Sequence, residues 1–133
     1  MSAQQDEFRD YCIELFASLV ARAGIAGIAS KRMFGGISFS IDGKTFAIIA
    51  MDQLWLKVDD ETRGEFEQAG CQIFVYDADG KARSMNYSTV PDDAMESAAL
   101  MAPWAAHAWG AALRAASHKS AKSTKKTKKT KSK

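Results

Sequence analysis

The sequence predicts an α+β protein, a two-layer sandwich with an antiparallel sheet of about five strands packed against helices. Three observations carry this. Apolar residues near the N-terminus recur at helical spacing. From residue 37 the period changes to two, with turn signals between short runs. The strands come in runs rather than alternating singly with helices, which favours an antiparallel sheet over a doubly wound one.

The first element is an amphipathic helix over roughly 5–23. Phe8, Tyr11, Cys12, Leu15, Phe16, Leu19 and Val20 share one face, Asp6 and Glu7 favour its start, and Gly24 ends it. Residues 24–30 read as a loop. Ile37, Phe39 and Ile41 then alternate with Ser38, Ser40 and Asp42, the pattern of a half-buried strand. Asp42-Gly43 is a hairpin turn signal, because glycine tolerates the positive φ such turns need. Lys44 to Met51 reads as a second strand, Asp52-Gln53 as a turn, and Leu54 to Val58 as a third strand. Asp59 or Asp60 can cap a short helix through Ala69, with Gly70 closing it. Ile73 to Tyr76 and Ala82 to Tyr87 form another strand pair across Asp79-Gly80. Pro91 stops pairing, Asp92-Asp93 open a helix over roughly 93–101, and Pro103 opens the last helix. That helix carries Trp104, Ala105, Ala108, Trp109, Ala112, Leu113 and Ala116 on one side.

With these elements placed, a resemblance emerges. Arg32-Met33-Phe34-Gly35-Gly36 followed by Asp42-Gly43-Lys44 resembles the opening of the TfoX N-terminal domain family. The likeness continues through Leu54-Trp55-Leu56-Lys57-Val58-Asp59, Gly80-Lys81 and Met85-Asn86-Tyr87. It closes with Val90-Pro91-Asp92-Asp93-Ala94, Pro103-Trp104-Ala105 and Ala111-Ala112-Leu113-Arg114. The order and spacing of these motifs over roughly residues 7–116 are the specific part. The resemblance implies a two-layer sheet-and-helix fold, and a relation to a bacterial regulator of DNA transformation competence. Longer members carry a second, C-terminal domain where this chain has lysines. No catalytic residue set is carried over from the family.

Charge divides the chain sharply. Residues 1–118 hold ten Lys/Arg against sixteen Asp/Glu, a net of −6, whereas 119–133 hold eight lysines and no acid, so the whole returns +2. The expected organisation is a folded domain over 1–117 and a disordered lysine-rich tail over 118–133, since the tail has almost no apolar residue to bury. No stretch resembles a signal peptide or an 18-residue apolar span, so a cytoplasmic location is the default expectation. Cys12 and Cys71 lie far apart, outside any CxxC pair, and read as reduced core residues.

Chemistry-bearing candidates are few. Gly35-Gly36 lead into a strand rather than a helix, so they read as a bend and not a phosphate loop. Arg32 beside Lys31 offers a guanidinium to an anion or carboxylate partner. Asp59, Asp60, Glu61, Asp92 and Asp93 precede helices and are explained as caps, so no metal or other cofactor is expected. His107 falls opposite the alanine stripe and is expected at the surface. Trp55, with Trp104 and Trp109, reads as core, although an exposed Trp55 would offer a stacking surface. Arg32, Trp55 and Tyr87 are the candidate interaction residues. Lys119, Lys122, Lys125, Lys126, Lys128, Lys129, Lys131 and Lys133 are candidate contacts to nucleic-acid phosphate, through sequence-independent, salt-sensitive binding.

The functional expectation is a non-enzymatic regulatory or interaction module with nucleic-acid affinity in its tail. The alternatives are a protein-binding domain, homodimeric in one variant and without a nucleic-acid role, and a small-molecule binder using Arg32, Trp55 and Tyr87. No membrane insertion is expected.

Overall fold

The computed structural model describes residues 3–17, 19, 28–33, 36–78 and 80–132, the side chains of 3, 4, 33, 76–78, 82–84 and 118–132 excepted. Its elements are helix α1 (Ala3–Leu15), strands β1 (Ala29–Met33), β2 (Gly36–Ile41), β3 (Lys44–Ala50) and β4 (Gln53–Lys57), helix α2 (Arg63–Gln68), strands β5 (Ile73–Ala78) and β6 (Lys81–Ser88), a 3-10 turn (Asp92–Glu96) and helix α3 (Ala98–Ser132). One antiparallel sheet runs in the order β1-β2-β3-β4-β6-β5. The α+β sheet-and-helix class is as the sequence predicts, with six strands instead of about five.

The additional strand is β1. Its residues, Ala-Ser-Lys-Arg-Met, carry no apolar alternation. They become a strand by pairing along β2, from Ala29 opposite Ser40 to Met33 opposite Gly36. Phe34 and Gly35, and the expected helix end at Gly24, lie outside the described residues.

Turn chemistry sets the meander. Asp42 and Gly43 have φ of 56° and 79°, so both central positions are left-handed, as a type I′ hairpin needs. The next turn falls one residue earlier than expected. Met51 and Asp52 take the positive φ values, 54° and 60°, and Gln53 already pairs with Ala50 in the ladder.

The main core lies between one sheet face and the helices. Ile37, Phe39 and Ile41 of β2, Ala47 and Ile49 of β3 and Leu54 and Leu56 of β4 meet Cys12, Leu15 and Phe16 from the N-terminal helix region and Met101, Ala105, Ala108 and Ala112 of α3. A bulge breaks the β2–β3 register after Phe39, so that Phe39 faces Ala47 and Ser40 faces Thr45. The extra residue, Phe46, thereby joins the same core as Ala47. Phe16 packs edge-on against Phe46 and Phe39, at centroid distances of 4.9 and 5.6 Å. Tyr11 is partly exposed, but its hydroxyl donates to the carbonyl of Met95 and ties α1 to the 3-10 turn.

Two helix expectations are corrected. The helix expected over 93–101 is a 3-10 turn followed by the start of α3. Ser97, in extended conformation, caps α3: its Oγ accepts from the N–H of Leu100 at 3.1 Å, and its carbonyl from Met101 at 3.0 Å. Pro103 therefore lies inside the helix rather than opening it. The backbone of α3 also continues to Ser132, through the segment expected to be disordered. Lysine is a good helix former, and the segment holds no proline or glycine to break the helix.

Candidate functional site

Arg32 stands on edge strand β1, opposite Ile37. Its guanidinium lies 2.5 Å from Asp6 Oδ1 and donates to Gln5 Oε1 at 3.3 Å. Both partners belong to α1, so Arg32 fastens the sheet edge to the first helix. The pair is half exposed, where such contacts contribute little to stability.

Trp55 and Tyr87 meet on the opposite sheet face from the helices. With Ile48 and Phe74 they form a second buried cluster, Trp55 being 6% exposed and Tyr87 8%. The strand order explains the meeting, because β4 pairs with β6 and sets Lys57 opposite Tyr87. The Trp55 and Phe74 rings pack edge-on at 4.6 Å, and Trp55 Nε1–H donates to the carbonyl of Ala50 at 3.0 Å. Lys57 Nζ lies 5.3 Å from the Tyr87 ring centroid, a cation–π contact. Burial lowers the Lys57 pKa, with Asp59 pulling it partly back, and burial raises that of the Tyr87 phenol. The structure thus unites Trp55 with Tyr87. Arg32 stays three strands away from Trp55, so the three do not line one pocket.

Sequence reasoning missed the junction of Asp59 with Arg114. Arg114 Nε lies 2.6 Å from Asp59 Oδ2, and its Nη2 donates to Oδ1 at 3.1 Å, a two-pronged contact. The same carboxylate accepts from the N–H groups of Glu61 and Thr62 and from the Thr62 hydroxyl. Arg114 hydrogen bonding and charge therefore hold Asp59 below the usual carboxylate range. Asp59 does not cap α2 directly. Thr62 occupies the N-cap position, and Asp59 shapes the turn before it. Asp59 joins the β4–α2 connection to α3, and its partner lies too far along the chain for local spacing to reveal.

Cys12 is fully buried, and burial pushes its thiol up to about 12. Cys71 packs against the margin of the main core. It is half-buried beside a cleft of about 250 Å³ lined by Gln53, Gln72, Thr89 and Asp92 among others. Burial raises its pKa too, which leaves it a thiol rather than a nucleophilic thiolate. His107 is not free at the surface. Its ring packs edge-on against those of Phe66 and Trp104, at 6.1 and 6.0 Å, and these two also meet each other at 5.0 Å. Among the described residues no three His, Cys, Asp or Glu side chains gather to hold a metal ion, and no helix is long and apolar enough to cross a membrane.

Compared with known families, residues 19–112 match the model of the TfoX N-terminal domain. The chain belongs to the TfoX N-terminal domain family. No curated protein matches it. The TfoX match takes in Arg32, Trp55, Asp59, Cys71 and Tyr87, and it ends before Arg114 and the lysines. The sheet and its outer aromatic cluster therefore lie within the matched span, whereas the basic segment lies beyond it.

Proposed function

We propose that the protein is a non-enzymatic regulatory module of the TfoX type, whose lysine-rich segment gives it sequence-independent affinity for nucleic acid. The division of charge supports this reading most directly: a body of net −6 and a terminal segment of +8. An acidic body repels phosphate, so nucleic-acid contact falls to the segment. Eight lysines neutralise backbone phosphates and release their counterions, which makes affinity fall steeply with salt. The regulatory role, with its link to DNA transformation competence, comes from the family alone. Binding of duplex DNA by the full chain and by a chain ending at Ser117, at two salt concentrations, tests the tail. The full chain is expected to bind with a strong salt dependence and the shortened chain not to bind. Equal binding by both would sink the assignment.

A second reading, a protein-binding role for the body, draws on Val75 and Met85. These large apolar residues of the β5–β6 hairpin are 56% and 38% exposed. Sedimentation showing a monomer at all concentrations, together with an empty pull-down at low salt, would remove it.

A further inference from the structure

The cations of the acidic body divide into two groups by their partners. Arg9 meets Asp6 and Asp10, Arg32 meets Asp6, Lys44 meets Asp42, and Arg114 meets Asp59 and Glu61. Arg63 donates to the side-chain oxygen of Asn86 at 3.1 Å. Lys31, Lys57 and Lys81 form no ion pair among the described residues.

These three share the sheet face that turns away from the helices. Lys31 pairs with Ser38, Ser38 with Ile48 and Ile48 with Trp55, a single row that ends in the outer cluster. Lys57 follows two residues after Trp55 and lies over the Tyr87 ring. Phe74 of β5 belongs to the cluster, the position of Ala78 has the same parity, and Lys81 is its ladder partner. Lys31 and Lys81 are exposed, and Lys57 is half-buried. Acids are missing from this face. Asp77 is the only acidic residue within any described strand, and it takes a position of the opposite parity, paired with Ala82. A body of net −6 thus has one sheet face whose strand positions carry positive charge alone.

Spacing decides what such a face can hold. Lys31 and Lys57 are three strand spacings apart, about 14 Å. Lys81 is six residues from the Tyr87 that faces Lys57, about 20 Å along the strand. No small anion reaches two of these amines at once, so the fitting ligand is extended and carries several negative charges. Nucleic acid is the poorer fit. Its bases need open rings to stack on, whereas Trp55 and Tyr87 are buried. It also carries a charge at every unit, and the exposed Asp42 and Asp52 stand at the turns that border the face. A peptide can place carboxylates only where the lysines are. It can also set an apolar side chain against the exposed Met85, whose thioether adapts to irregular partners.

We infer that the outer sheet face docks an extended acidic peptide segment of a partner protein, with Lys31, Lys57 and Lys81 as its charge contacts. This rests on the second reading above, a protein-binding body, and names the face and the class of partner.

The test uses full-length protein in which the eight lysines of 119–133 are replaced by glutamine, so that the terminal segment does not capture the probe. The probe is a fluorescent peptide of about twelve residues, long enough to span the face, with glutamate at alternate positions and serine, glycine and one leucine between them. Anisotropy is read at low salt. Lys31→Gln, Lys57→Gln and Lys81→Gln together are expected to weaken binding about tenfold. Lys31→Glu with Lys81→Glu, both at exposed positions where folding is not at stake, is expected to weaken it at least as much. Equal binding by both variants would overturn the assignment to this face, and so would equal binding of a peptide with glutamine for every glutamate. Equal or tighter binding of an oligothymidylate of the same charge would overturn the choice of a protein partner. Absence of peptide binding to the starting protein would overturn this inference alone. The protein-binding reading itself falls only with the sedimentation and pull-down results named above.

Discussion

Asp59 and Arg114 are 55 residues apart in the chain, yet they share two short contacts. Removing the guanidinium leaves a carboxylate that still accepts backbone N–H bonds but has lost its charge partner. Arg114→Ala is therefore expected to lower unfolding stability by about 1 kcal/mol, a modest figure because Arg114 is 38% exposed. Urea denaturation measures it. The pair also sets an acid dependence. The folded state depresses the Asp59 pKa below its unfolded value near ~3.9, so its contribution is fully present above that pH and is lost as pH falls through the lower folded value. The unaltered protein should lose stability below about pH 4 more steeply than Arg114→Ala does, and parallel curves would show that the pair contributes nothing. Met51 makes the opposite kind of prediction. It holds φ of 54° at a tight turn with its side chain in solvent, a conformation that costs a side-chain-bearing residue about 1 kcal/mol. Met51→Gly should raise the melting temperature, and a fall would mean that the side chain packs where the turn conceals it.

Among the elements, α3 depends on its start. Ser97 provides the one described side-chain acceptor at the helix's N-terminal N–H groups, and Pro103 has already removed a backbone bond from the second turn. Ser97→Ala is expected to cost about 1 kcal/mol in thermal or urea unfolding, while Ser97→Asp retains most of the stability. The same region shows what the sequence made legible. The clearest local patterns carry through to the structure. The alternation of Ile37, Phe39 and Ile41 marks a strand, and Asp42-Gly43 marks its turn. Strand β1 escaped because an edge strand exposed on both sides needs no apolar alternation, and only its ladder to β2 defines it. The proline at 103 misled because Ser97 outweighs it as a start signal. The outer cluster is half legible: Trp55 and Tyr87 stand out in the sequence as candidate interaction residues, but their burial together depends on β4 lying beside β6, a long-range pairing with no local mark.

For the molecule as a whole, the distribution of charge separates two tasks, since the TfoX-matched span lies within the acidic body and the cations follow it. The sheet has a division of its own. Four strands form a meander, and the β5–β6 hairpin joins it through a short seam in which Leu56 pairs with Ser88 and Lys57 with Tyr87, beside one bond from the Val58 N–H to the Asn86 carbonyl. A seam this short divides the sheet in time as well as in space. The hairpin is expected to detach and return while the meander stays folded, its backbone amides exchanging with solvent deuterium on their own clock. Native-state exchange should find β5 and β6 at least about tenfold less protected than β2 and β3. Equal protection across all six strands would mean that the sheet opens only as a unit, and that the Trp55–Tyr87 cluster behind the seam, rather than its backbone bonds, sets the rate.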